Sequence, residues 1–181
     1  MTLMYKFKRA RRKSALTDYR KRIALLKGRL PRVVVRRSNR GIVMQVVEFM
    51  PDGDKVVASV SSSALRAFGW EPRCNIPTAY LTGALLSKRV KNKNEKYVLD
   101  IGLYRPIRNS VIFAAAKGAI DAGMGIISSI EFDESRLEGK HIEAYASSSH
   151  QASQFAELKK KADLAKLSAL FGEMKKKILN Q

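Results

Sequence analysis

Residues 32–49, RVVVRRSNRGIVMQVVEF, decide how this chain folds. Two runs rich in β-branched residues, Arg32–Ser38 and Ile42–Phe49, flank Asn39-Arg40-Gly41, a tight-turn signal, so the stretch reads as a β-hairpin. The second run meets another turn signal at Pro51-Asp52-Gly53-Asp54. Beyond it, Lys55–Ser62 alternates Val56, Ala58 and Val60 against Val57, Ser59 and Ser61, the period of a half-buried strand. Connections this short favour an antiparallel three-stranded meander.

Upstream of the hairpin, Thr17 or Asp18 is placed to cap a helix over about 18–27, with Gly28 at its end. Leu16, Tyr19, Ile23 and Leu26 fall three, four and three residues apart, which predicts one apolar stripe with cations on the other faces. Residues 1–13, MTLMYKFKRARRK, have no apolar period and should order only against a polyanion.

Downstream, residues 63–73 look irregular, and Asn75 caps a helix over about 76–91 that places Ile76, Tyr80, Ala84 and Leu85 together. Tyr97–Tyr104 reads as a fourth strand, near-continuously apolar and so buried on both faces. Asn109 or Ser110 then starts a helix through about Ala122. Strand, helix, strand, helix implies crossover packing, so the fold class is α/β. It comprises a mixed sheet with the meander, a fourth strand after a crossover helix, and flanking helices. The divisions expected are a basic tail over 1–16, a core domain over 17–125 and a C-terminal helical extension over 126–181. In that extension residues 151–180 read as one amphipathic helix whose stripe, including Phe155, Leu158, Leu167, Phe171, Met174 and Ile178, should pack on the protein's own core.

Charge narrows the function. The chain carries 35 Lys and Arg against 16 Asp and Glu, for +19 overall. Residues 1–40 hold 15 cations and one acid, Asp18, a net of +14. Three quarters of the excess thus sits in under a quarter of the chain, and a surplus so concentrated is directed at a polyanion. The longest apolar run is Val111–Ala116, far short of the ~18 residues a spanning helix needs, so no membrane role is expected. The basic start is not followed by an apolar stretch, which argues against a secretory signal, and the single Cys74 fits a reducing, cytoplasmic setting.

Three groups of residues point to RNA. Arg9, Arg11, Arg12 and Lys13 stand near Tyr5 and Phe7, and guanidinium forks with aromatic rings suit phosphates and unstacked bases. Arg36, Arg37, Ser38, Asn39 and Arg40 project from a strand end and turn, a firmer platform than a tail. Tyr19, Arg20 and the other cations of helix 18–27 form the third. A merely solvated tail is the plain alternative to the first group, and helix decoration to the third; their convergence within 40 residues favours the partner. A DNA-compacting protein would share the charge. A metal-dependent nuclease could be built on Asp52, Asp54, Asp100 and Asp121, but the first two look like turn residues and the others structural. His141 and His150 have no ligand or nucleophile nearby in sequence, and no phosphate-cradling glycine loop occurs. No enzyme, cofactor or metal is expected.

Four motifs in order carry a resemblance: Thr17-Asp18-Tyr19-Arg20; Pro31-Arg32-Val33-Val34-Val35-Arg36-Arg37-Ser38-Asn39-Arg40; Asn75-Ile76-Pro77-Thr78-Ala79-Tyr80-Leu81-Thr82-Gly83; and Val98-Leu99-Asp100-Ile101-Gly102-Leu103. Over about residues 5–125 the chain resembles the family of 5S-RNA-binding ribosomal proteins numbered eighteen in bacteria and archaea and five in eukaryotes, the archaeal form most of all. The resemblance implies a ribonuclease H-like arrangement without its active site. It also implies a monomer in the cytoplasmic ribosome that joins 5S ribosomal RNA to large-subunit ribosomal RNA, beside neighbouring large-subunit proteins, in the central protuberance. Residues implied to touch RNA are Arg9, Arg11, Arg12, Lys13, Tyr19, Arg20, Arg36, Arg37, Ser38, Asn39 and Arg40.

Overall fold

A computed structural model describes residues 10–90, 96–147 and 166–180, with the side chains of Arg11, Arg12 and Ser147 left aside. The predicted meander is present as β1 (Arg32–Arg37), β2 (Ile42–Glu48) and β3 (Lys55–Ser61), antiparallel throughout. β4 (Lys96–Asp100) lies parallel to β1, and a two-residue β5 (Gly125–Ile126), which no periodicity announces, lies parallel to β4. The resulting order is β3-β2-β1-β4-β5. The α/β mixed sheet expected from sequence is therefore the fold, one strand wider at the β4 edge.

Two helices cover one face. α3 (Ile76–Arg89) starts at Asn75, whose side chain accepts from the Thr78 amide, and α4 (Val111–Asp121) follows Ser110. Glycines set their crossing. A Cβ on Gly83 would lie 1.9 Å from the Ala115 carbonyl oxygen, and one on Gly118 would lie 2.0 Å from that of Tyr80. Only two absent side chains let the backbones meet. The stripe expected on α3 proves too narrow: residues 76–87 are buried all round, because the helix lies among the sheet, α4 and the C-terminal helix. Its polar groups are satisfied accordingly. Thr78 Oγ1 accepts from Trp70 Nε1, Thr82 Oγ1 donates to the Thr78 carbonyl, and Ser87 Oγ donates to that of Ala122.

The stretch expected to be irregular opens with a 3-10 helix over Ser62–Phe68, which tucks Leu65 into the core and delivers Trp70 to it. β4 stops at Asp100 rather than continuing to Tyr104. Gly102 has φ +63, and a Cβ there would meet the Arg36 guanidinium at 2.9 Å, so the chain turns under that side chain instead of extending. Two short helices, α5 (Glu134–Glu138) and α6 (Lys140–Ser147), lead on from the core. Of the long helix predicted over 151–180, residues 151–165 lie outside the described residues. The described part is α7 (Leu167–Leu179), which buries Leu167, Phe171, Met174 and Ile178 against α3. Phe171 meets Tyr80 at 5.4 Å and Trp70 edge-on at 6.4 Å, while Lys175 caps the outer face of Tyr80. Burial of each such apolar side chain is worth about 1.5–3 kcal/mol. The expectation that this stripe packs on the protein's own core is met for these four residues.

Candidate nucleic-acid interface

β1 alternates between two environments. Val33 and Val35 are fully buried under the helices; Arg32, Val34 and Arg36 face the other side, in register with Val98 and Asp100 of β4 and with Val47, Gln45 and Val43 of β2. Among the described residues, no sheet or long helix pair seals that second face. The helix that overlies part of it is α2 (Tyr19–Lys27), started by Asp18, whose carboxylate accepts from the Arg20 and Lys21 amides.

α2 does not sit as its sequence suggests. None of its residues is buried, and two of the stripe residues, Leu16 and Ile23, are 68% and 56% exposed. Charge adds a tether to the partial burial of its Tyr19, Leu25 and Leu26. Arg22 donates to Asp54 at 2.8 Å, and the same carboxylate oxygen accepts from Arg32 at 2.7 Å. Gly28 ends the helix in right-handed backbone, and it is Arg29 that takes the positive φ of 51°. Between α2 and the loop after β4 lies a cleft of about 850 Å³ with Asp54, Arg36, Asp100 and Tyr104 in its walls.

Arg32 is the residue that sequence reasoning missed. Only 2% of it is exposed, yet it is a full cation, held by Asp54 on one side and by Asp100 at 2.9 Å on the other. Asp100 in turn accepts from Arg36 at 3.0 Å and from the Gly102 amide at 2.9 Å. The signal was available: an arginine inside an apolar strand is buried only if acids come with it, and Asp54 and Asp100 lie at the two turns the topology brings beside it. Burial pushes the Asp54 carboxyl up, but the guanidiniums of Arg22 and Arg32 overcome this and hold it below its ordinary range. Three of the carboxylates considered for a metal site are thus ion-pair partners: Asp54 and Asp100 here, and Asp121 with Lys117, while Asp121 also accepts from the Tyr80 hydroxyl. Cys74 is half-buried, and burial raises its thiol pKa, with Arg37 partly opposing.

The predicted RNA residues fall into distinct settings. Arg9 lies outside the described residues, and only the backbone of Arg11 and Arg12 is described, in the short α1 (Ala10–Lys13). Lys13 and Arg20 are exposed; Tyr19 is half-buried at the start of α2. Arg36 is 43% exposed along its side chain, but its guanidinium is engaged by Asp100 and by the Val35 and Asp100 carbonyls. Arg37, the next residue, turns the opposite way and lies 5.5 Å over the Tyr104 ring, whose hydroxyl donates to the Arg37 carbonyl. Ser38 pins the turn: its amide and hydroxyl both donate to the Gly41 carbonyl, and its oxygen accepts from the Gly41 amide. Asn39 and Arg40 are left exposed at the tip. The structure therefore brings Arg37–Arg40 together as a rigid basic corner, and makes Arg36 part of the brace beneath it.

Comparison with known proteins gives a consistent picture. Residues 4–97 match the family described as ribosomal large subunit proteins 60S L5 and 50S L18. A large ribosomal subunit protein uL18 of Korarchaeum cryptofilum is 45% identical over 146 residues, covering 78% of this chain and 75% of that relative. The protein of the same description from Ignicoccus hospitalis is 43% identical over 148 residues, covering 80% and 72%. That of Halobacterium salinarum is 46% identical over 148 residues, covering 80% and 81%.

Proposed function

The chain belongs to the family of ribosomal large subunit proteins 60S L5 and 50S L18, in its archaeal form, and from that premise we propose that it binds 5S ribosomal RNA and helps join it to large-subunit ribosomal RNA. Family membership makes it a structural constituent of the large subunit and not an enzyme; it works in the cytoplasmic ribosome among ribosomal RNA and other ribosomal proteins. The finer claim, which RNA and through which residues, rests chiefly on one observation. The +14 surplus of residues 1–40 ends in a rigid corner, Arg37–Arg40, whose arginines make no ion pair with any described acid. Arginine forks on a fixed turn recognise the phosphate pattern of a folded RNA.

In this reading Arg9, Arg11, Arg12 and Lys13 enter the RNA from the start of the chain, the last three carried on the short α1. Tyr19, Arg20, Arg37, Ser38, Asn39 and Arg40 contact it from the folded body, and Arg36 holds the corner in place through Asp100. Counterion release sets the test. With 6–10 phosphates engaged, affinity for 5S RNA should fall roughly 1,000- to 100,000-fold between 50 and 200 mM salt. Filter binding across that range measures the slope, and a nearly flat line sinks the proposal. Duplex DNA as competitor separates it from simple polyanion compaction: equal competition would mean that the folded RNA is not what is recognised.

A further inference from the structure

We propose that the loop joining β4 to α4 is a second phosphate-binding element, with Arg105 and Arg108 gripping the backbone of the same RNA that the Arg37–Arg40 corner holds. This rests on the reading above and extends it to residues that reading does not contain.

Several cations of the fold are visibly paired. Arg22, Arg32 and Arg36 share Asp54 and Asp100, Arg66 meets Glu71, Lys117 meets Asp121 and Lys140 meets Glu138. Arg105 and Arg108 are both exposed and make no ion pair among the described residues. Both are therefore open to an external anion without the breaking of an internal ion pair.

The loop is also shaped, not slack. The Tyr104 amide donates to the Ile101 carbonyl at 3.4 Å and the Ile107 amide to the Arg105 carbonyl at 3.0 Å, with Pro106 fixing the bend between them. Tyr104 joins it to the hairpin through the hydrogen bond to Arg37 at 2.8 Å, and Arg37 covers the same ring. Both loops leave the carboxyl ends of the neighbouring parallel strands β1 and β4, so they lie side by side at the same end of the sheet. Ile107, 61% exposed between the two arginines, adds an apolar surface that suits a ribose or a base face. Guanidinium forks flanking such a surface fit a nucleotide chain better than an acidic peptide, whose carboxylates would leave Ile107 uncovered.

The experiment uses the full chain and a 5S RNA transcript. The double variant R105A/R108A should bind on the order of tenfold or more weakly at moderate salt, and its log–log salt slope should be shallower by about 1 to 2, with an unchanged melting temperature. R105K/R108K should keep the slope and lose part of the affinity. K176A/K177A removes equal charge from α7 and should leave both quantities alone. A wild-type chain that ignores the RNA sinks the proposed function itself. A steep wild-type slope that R105A/R108A shares, or one that K176A/K177A lowers equally, overturns the loop alone.

Discussion

On the helix side of the sheet, Val33, Val35, Met44 and Val46 are sealed by α3 and α4 and have essentially no exposure. On the opposite side, one residue out of step along the same strands, Arg32, Arg36 and Asp100 form a charged lattice that α2 only partly covers. The first region is held by shape and the second by charge. Shape fails when volume is added; charge fails when a partner is removed or neutralised. The two regions therefore answer to different perturbations, and that difference can be attacked.

The heaviest blow to the shape-held side is Gly83→Ala. One methyl would lie 1.9 Å from a backbone oxygen that cannot move without shifting α4. Overpacking commonly costs about 1–3 kcal/mol, and a backbone collision places this at or above the top of that range, a large share of a marginal stability. Urea unfolding should show a collapse in midpoint or no folded baseline at all. A loss under 1 kcal/mol would mean the helices slide freely, and the picture of a locked crossing would fail.

Against the charge-held side, Asp100→Ala strips Arg32 of one buried partner and frees Arg36. Breaking a buried pair generally costs about 3–5 kcal/mol; Asp54 still faces Arg32, so about 3 kcal/mol is expected. Salt should barely alter the penalty, because the pair is screened little where water is excluded. RNA binding should also weaken, since Arg36 and the Gly102 turn brace the corner. Full stability in the variant would show that the lattice is decoration.

The contrast explains what could be read beforehand. Alternating Val33, Val35 and Val60, the Asn75 cap, and the Phe171, Met174 and Ile178 spacing all report burial in an apolar medium, which periodicity encodes directly. The meander and a fourth strand after a crossover helix followed from them. The charged lattice was not legible in the same way, because Arg32, Asp54 and Asp100 are far apart in sequence and become neighbours only through sheet order. The stripe on α2 misled in part for the complementary reason: Leu16 and Ile23 have helical spacing yet stay exposed, while Arg22 reaches Asp54 from a neighbouring position. β5 is two residues long and carries no period, so only its pairing with Lys96 and Tyr97 defines it. At the corner, the arginines were visible as types, while which of them the fold keeps for itself required the coordinates of Asp100.

The gentlest test tunes the charge-held side with protons. Asp54 has a folded pKa below its ordinary 3.8, so the unfolded chain takes up a proton first as pH falls. Its contribution is therefore complete above about pH 5 and disappears as pH drops through 3.8 toward the folded value. With the carboxylate partly exposed, the effect should be about 1 kcal/mol at neutral pH. Asp54→Asn should accordingly lower the melting temperature by a few degrees at pH 7 and by less at pH 3. Gly83→Ala should lose the same amount at both, since no proton enters a steric clash. If the two variants showed parallel pH profiles, α2 would not be held by its ion pair with Asp54, and the division between a face fixed by shape and a face fixed by charge would be wrong.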